Sequence, residues 1–355
     1  MTGVRFIQQN AIAPGMSLYL DLIRFLAALT VVLYHTWHHF DSAAMKLPGH
    51  EAVVVFFVLS GYVIAHAASR PGITLGLYAQ HRIARILPVA WTALLLAGVL
   101  AMAVPALDEE SSLWGQTLAN AVFIAQSGWG WYEAPLNSPF WSLNYEVWYY
   151  VIFATWVFVR KNRWLWLGVA LLLAGPKILM LMPIWLMGVA LYQRMPTFSQ
   201  TTAWLIFIGT IVMAAAMCWL DVSAIWTGWL YDVAPPIWRA HYSTQVLYDM
   251  VLGIIVSANF AAICSLDASL QYLRIVERPI RYLASFTLSL YLFHAPLSEL
   301  FLKVMKLDRP LPFYAAMAAS IFLLAQLTER RTGWYRRHLA KLLAARSTAA
   351  VHAGP

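Results

Sequence analysis

Runs of roughly twenty apolar residues recur between Leu18 and Thr328, each long enough to cross a hydrocarbon core of about 30 Å as a helix. The approximate spans 18–38, 52–68, 86–106, 139–159, 164–176, 178–193, 202–220, 246–265, 282–302 and 311–328 predict an all-α integral membrane protein with about ten transmembrane helices. The fifth and sixth are short and divided only by Gly175-Pro176-Lys177, so one re-entrant hairpin is the alternative, and Leu113 to Gln126 reads as an interfacial dip. With 61% hydrophobic and 11% charged residues, a soluble domain is excluded. The first run has no basic leader or cleavage site before it and reads as a retained span. Cys218 and Cys264 lie in apolar stretches without ligand spacing, so neither a disulfide framework nor a zinc site is expected.

The formal charge of +8 is carried by short loops, where membrane topology explains it better than nucleic-acid binding. With a cytoplasmic N-terminus, 18 of the 24 basic residues fall on the inner side, and the outer side holds Lys46, Lys177, Arg239, Lys303, Lys306, Arg309 and the acidic Asp108-Glu109-Glu110. Both termini are then cytoplasmic. Residues 1–340 form one membrane domain and 341–355 a disordered tail. Trp37, Trp129, Trp131, Tyr132 and Trp141 read as an interfacial belt, with a sugar-lining role as the alternative.

Ionisable groups inside spans are costly, so each is a functional candidate, with structural pairing as its competitor. Arg24 and His35 lie eleven residues apart on the first span, about 16 Å of rise and close to three turns, so they share one face, with Ala28 and Val31 between them. Helix rise carries Ser60-Gly61 on the second span, Glu146 on the fourth and His294 on the ninth to the depth of His35. The fourth span begins at Ser138-Pro139, read as an N-cap followed by proline. At the opposite level, Arg82 and Arg85 share a face beside Arg24, which suits phosphate binding or simple anchoring. His35, His38 and His39 invite a metal reading but lack a partner motif, so no metal is expected.

These segments resemble the acyltransferase 3 family of multi-pass membrane O-acyltransferases. The resemblance rests on Tyr19-Leu-Asp-Leu-Ile-Arg24 continuing to His35, Phe56-Phe-Val-Leu-Ser-Gly61, Arg82-Ile-Ala-Arg85-Ile-Leu-Pro88, Trp141-Ser-Leu-Asn-Tyr-Glu146 and Ser289-Leu-Tyr-Leu-Phe-His294, in that order. The chain departs from it at Glu329-Arg330-Arg331, where no proline follows, and shows no extracytoplasmic hydrolase-like domain, so a separate periplasmic partner protein is an option. The resemblance implies a bacterial cytoplasmic-membrane enzyme that moves an acyl group, usually acetyl, from cytosolic acyl-CoA to a hydroxyl of an extracytoplasmic glycan or lipid-linked sugar, such as lipopolysaccharide or exopolysaccharide. Acyl-CoA is then a donor substrate, with no permanently bound cofactor.

Under that reading Arg24, Arg82 and Arg85, with Asp21 beside Arg24, hold the coenzyme phosphates, and the pantetheine arm runs along the first helix past Ala28 and Val31. His35 is the general base or, by the other route, a covalently acylated nucleophile. Glu146 orients or charge-balances His35, Ser60-Gly61 gives close backbone approach and a donor to the thioester oxygen, and His294 assists from the facing helix. The competing class is a proton-coupled glycolipid transporter or flippase with the same groups as a relay, although no internal inverted repeat is visible.

Overall fold

The computed structural model describes residues 12–41, 47–104, 113–128, 130, 132–234, 245–267 and 269–352. Arg5, Lys46, Asp108-Glu109-Glu110, Trp129, Trp131 and Arg239 lie outside them. The chain is all-α. Helices α1 (Pro14–Thr36), α2 (Gly49–Ala68), α3 (Leu75–Ala103) and the short α4 (Leu113–Ala121) lead through a 3-10 turn at Ser138–Phe140 into α5 (Trp141–Phe158). Then follow α6 (Arg163–Gln193), α7 (Gln200–Trp219), α8 (Val222–Val233) and α9 (Val246–Ser265). A 3-10 stretch (Ser269–Val276) precedes α10 (Glu277–Ala284), α11 (Thr287–Glu299), a π turn (Leu300–Val304), α12 (Pro310–Leu327) and α13 (Thr332–His352).

Among the described residues, seven helices are long and apolar enough to cross a membrane by length and composition: Pro14–His39, Gly49–Ala68, Leu75–Ala103, Arg163–Gln193, Gln200–Trp219, Val246–Ser265 and Pro310–Leu343. Their large apolar side chains face outward as well as inward, with Leu95, Leu172, Leu205 and Trp219 all exposed. In water that would be an aggregation surface; against acyl chains it is the complementary one. This is the make-up of a multi-pass membrane protein.

The seven differ from the ten expected spans for physical reasons. Segments 164–176 and 178–193 form as two helices that meet directly at Gly175 (φ 80°, ψ 168°), a non-helical conformation glycine adopts without steric cost, and together they make up the range given as α6. A Cβ there would sit 2.6 Å from the Gly128 backbone, whose N–H donates to the Ala174 carbonyl at 3.1 Å, so a loop holds the kink. Span 139–159 forms as α5 but carries Asn144, Glu146 and six Trp or Tyr residues, which makes it less apolar than the seven. Span 282–302 is broken at Ser285-Phe286 into α10 and α11. The expected Ser138 cap gives way to the 3-10 turn Ser138–Phe140, entered from Asn137 without a side-chain cap. The segment after Lys341, expected as a disordered tail, continues α13 as far as His352.

Packing at the centre relies on missing side chains. A Cβ on Gly61 of α2 would meet the Trp185 carbonyl of α6, and one on Gly188 of α6 would meet the Val58 carbonyl of α2, so the two backbones touch. Gly61, expected to allow close approach to a substrate, spends that space on α6.

Candidate active site

Three arginines and one carboxylate line a single narrow cavity of about 90 Å³ bounded by α1, α2, α3, α5 and α11. Arg24, Arg82 and Arg85 surround one end, Ser60, Glu146 and Tyr150 its middle, and Val53, Ser142 and Tyr291 extend it toward the His35 level. Arg82 and Arg85 form no ion pair among the described residues, and the Arg82 Nε is buried without a hydrogen-bond partner. Buried guanidinium groups left unpaired are a site prepared for an anion.

Asp21 turns Arg24 instead of joining that anion site. Its two oxygens take Arg24 Nη1 at 3.3 Å and Arg281 Nη1 at 3.0 Å. A surface opening lined by Asp21, Arg24, Arg85, Arg281 and Glu329 shares Arg24 and Arg85 with the main cavity, so the arginines stand at its mouth.

Glu146 lies on α5 and accepts one hydrogen bond from α2 and one from its own helix. Ser60 Oγ donates to Glu146 Oε1 at 2.5 Å, and the Tyr150 hydroxyl one turn further along α5 donates to the same oxygen. Trp185 Nε1–H donates to Ser60 Oγ at 3.2 Å from α6. The Ser60 proton is therefore committed to Glu146 and is not directed at a substrate. Oε2 of Glu146 accepts no hydrogen bond among the described residues and is the oxygen left for the cavity.

His35 finds a different partner from the one expected. Its Nδ1 lies 2.8 Å from the Val31 carbonyl, which can only accept, so Nδ1 carries the proton and the neutral ring keeps its lone pair on Nε2. That N–H also points at Nε2 of the fully buried His294, 3.4 Å away, while His294 Nδ1–H donates to the Leu290 carbonyl at 3.3 Å. The chain of donors is self-consistent. Glu146 makes no hydrogen bond to His35; the four groups expected at one depth fall into two pairs, Ser60 with Glu146 and His35 with His294. Tyr291 joins the pairs: it lines the cavity, its ring centroid lies 6.2 Å from that of His294, and its hydroxyl donates to the Pro139 carbonyl at 3.0 Å.

Ala28 and Val31 do not line a channel. They are 0% and 1% exposed, packed in a core cluster with residues of α3 and α11. Three turns of register put Arg24 and His35 on one face, but the register does not say what covers that face. The cavity runs instead along α2 and α5.

A second cavity, about 500 Å³, opens at the His35 level and is lined by His35, His38, His50, Glu51, Cys218 and Asp221 among others. His38 belongs to its rim and His39 does not. Behind His50, whose Nε2 lies 2.7 Å from Asp249 Oδ1, the Asp249 residue is 0% exposed. The Tyr248 hydroxyl donates to Glu51 Oε1 at 2.8 Å. Sequence reasoning missed these partners because α2 and α9 meet across nearly two hundred positions; Tyr150, four residues after Glu146, was the one partner that helical spacing makes visible. Glu51 and Val53 are two residues apart on α2, about 3 Å of rise and on nearly opposite faces, so α2 carries a wall of each cavity. Among the described residues, no group of three His, Cys, Asp or Glu side chains is arranged to hold a metal ion.

Glu329 occupies a place that its sequence gave no reason to expect. Its carboxylate accepts from Ser289 N at 2.8 Å, Leu288 N at 3.3 Å and Ser289 Oγ at 3.0 Å, so it caps the first turn of α11, the helix that carries His294. The helix start gains a negative charge from a segment 40 residues later.

Comparison with known proteins bears on this arrangement. The "Exopolysaccharide production protein ExoZ" of Rhizobium meliloti (strain 1021) is 32% identical over 141 residues, 37% of this chain and 41% of that protein. The "Acyltransferase MdmB" of Streptomyces mycarofaciens is 33% identical over 135 residues, 34% of this chain and 33% of that protein. The matched stretches thus span well under half the length of these curated relatives. No solved structure matches. A family model described as "Acyltransferase domain" covers residues 17–330, which takes in every helix lining either cavity, and the chain therefore belongs to that acyltransferase family.

Proposed function

We propose that this protein is a membrane O-acyltransferase that moves an acyl group, acetyl in the first instance, from acyl-CoA to a hydroxyl of a surface glycan or lipid-linked sugar. The observation that carries the reading is the cavity itself: it has unpaired arginines at one end, Glu146 midway, and a far wall on α2, the helix that also lines the pocket of His35. A coenzyme with anionic phosphates and a long neutral arm matches that order of groups. The family and the printed names of the two relatives support an acyl donor and a carbohydrate-related acceptor.

Arg24, Arg82 and Arg85 hold the phosphates, with Asp21 and Arg281 fixing the direction of Arg24. The arm lies along α2 and α5, carrying the thioester toward the pocket of His35. There His35 Nε2 takes the proton from the acceptor hydroxyl as its oxygen attacks the thioester carbonyl. The C–S bond then breaks, the new ester C–O bond remains, and the departing thiolate takes a proton back from the imidazolium. His294 keeps the His35 ring in the Nε2-basic tautomer, a positioning role. Glu146, held on Oε1 by Ser60 and Tyr150, presents Oε2 to the arm. By the excess of basic residues, the Arg24 level is cytosolic and both termini lie there, with about ten membrane crossings when α5, α11 and the halves of α6 are counted in a bacterial inner membrane.

The test uses purified protein in nanodiscs with radiolabelled acetyl-CoA and cell-envelope glycolipid as acceptor. Wild-type protein transfers label, and His35→Ala loses at least about 10²-fold in rate while still binding acetyl-CoA. Unchanged transfer by His35→Ala would sink the assignment. A flippase with a histidine relay would move glycolipid without transferring label.

A further inference from the structure

The main cavity, about 90 Å³, is far below the roughly 300–1,000 Å³ of sites that enclose a whole small molecule. It has room for a thin chain and none for a purine, a ribose and their phosphates, so the bulky end of a coenzyme has to lie outside it. An open groove stands where that end would emerge. The main cavity shares Arg24 and Arg85 with the surface opening beside Asp21, and that opening shares Arg281 and Ser285 with a groove of about 890 Å³. Arg274, Arg278, Arg281 and Arg330 line the groove against one carboxylate, Glu277, among the described residues.

Arg281 is the post of this groove. Its Nε donates to Glu277 Oε1 at 2.7 Å and its Nη1 to Asp21 Oδ2 at 3.0 Å and Ser17 Oγ at 3.3 Å, which ties α10 to α1. Arg278, three residues before it on α10, shares its face, and so does Tyr282. The Arg330 guanidinium lies over the Tyr282 ring, 4.6 Å from its centroid, and brings a further charge to α10 from the turn after α12. Arg274, Arg278 and Arg330 are all exposed and present their charge at the surface.

We propose that this groove holds the ribose 3′-phosphate of acyl-CoA, with Arg274, Arg278 and Arg330 as its donors, while Arg24, Arg82 and Arg85 keep the diphosphate at the cavity mouth. The proposal rests on the acyl-transfer reading and adds a second phosphate site to it. In coenzyme A the 3′-phosphate and the diphosphate hang from one ribose, so their sites have to adjoin, as the shared Arg281 and Ser285 make these openings do. A phosphate monoester carries close to two negative charges at neutral pH, and its oxygens take the forked donors of guanidinium groups in charge-assisted hydrogen bonds. A donor without that phosphate loses the groove and keeps the rest. The phosphate of an anionic lipid headgroup has the same chemistry, and the test separates the two.

Equilibrium binding to the full-length protein in neutral-lipid nanodiscs, at one ionic strength, uses two probes: acetyl-CoA and acetyl-3′-dephospho-CoA. Acetyl-CoA is expected to bind at least about tenfold more tightly. Arg278→Gln combined with Arg330→Gln lowers acetyl-CoA affinity to that of the dephospho form, whose own affinity stays as in wild type. Arg82→Ala combined with Arg85→Ala weakens both probes and leaves their ratio in place. Arg278→Gln alone, at an exposed position outside the Arg330–Tyr282 stack, narrows the ratio partway and guards against a double variant that fails to fold. Equal affinities of wild type for the two probes, a ratio that survives Arg278→Gln with Arg330→Gln, or an equal loss of both probes in that variant overturns the assignment. If wild type shows a ratio of one and retains phosphatidylglycerol through purification while the double variant loses it, the groove is a headgroup site and the proposal falls. In each of these cases binding of the dephospho form by wild type leaves the acyl-transfer reading standing. Binding of neither probe by wild type overturns both.

Discussion

Replacing Glu146 with glutamine keeps the volume and removes the charge on which the Ser60 and Tyr150 protons converge. Acyl transfer by Glu146→Gln is expected to fall by about 10²-fold, measured as single-turnover transfer from labelled acetyl-CoA. Tyr150→Phe deletes one of the two donors and leaves the carboxylate. Its cost is that of one hydrogen bond to a charged group, about 1.5–3 kcal/mol, and a loss of roughly ten- to a hundredfold in the same assay is expected. If Tyr150→Phe matched wild type, the carboxylate would not depend on that hydroxyl. Arg24, His35, Ser60, Arg82, Arg85, Glu146 and His294 were all legible as candidates because charge and imidazole stand out in apolar runs. Their pairing was not. Which neighbour an imidazole meets depends on helix rotation and on α11 packing against α1, and rise per residue gives depth alone.

Between elements, the decisive contacts are those where backbone replaces side chain. Gly61→Val or Gly188→Val puts a branched Cβ into a carbonyl of the facing helix, and no rotamer relieves a Cβ clash. Overpacking of this kind costs about 1–3 kcal/mol or more, so a lowered unfolding temperature in detergent, read by thiol-reactive dye, is expected for both. Glycine at these positions reads in the sequence as a backbone licence near the site, and only the position of α6 shows what fills the space. The α6 kink belongs to the same class. Gly175-Pro176 marks an interruption in the sequence, but the loop that holds it comes from Gly128, forty-seven residues earlier. Gly175 itself is non-helical, so the two halves of α6 are separate helices that meet at that residue.

For the molecule as a whole, the apolar runs made the all-α membrane class readable, since few other folds tolerate so many. The lesser apolarity of α5 and the break before α11 follow from the residues those helices devote to the site: the hydroxyls, amides and carboxylate that build the cavity dilute the apolar signal. Orientation is testable by topology. A cysteine placed at Lys306 is expected to react with an impermeant maleimide in intact cells and one at Arg336 only after permeabilisation; the reverse pattern would invert the proposed topology. Arg82→Ala combined with Arg85→Ala is expected to weaken acetyl-CoA binding by at least about tenfold, measured by equilibrium binding on the purified protein.

The Glu329 carboxylate grips the first turn of α11 through two backbone amides and a hydroxyl. Sliding α11 along its own axis, even by a single turn of about 5.4 Å, would strip those donors from a buried charge at once. The helix that carries His294 and Tyr291 is therefore bolted lengthwise to the joint between α12 and α13. Any breathing that admits a substrate has to leave α11 in place, so it serves as the fixed jaw of a vice whose travel belongs to the helices opposite.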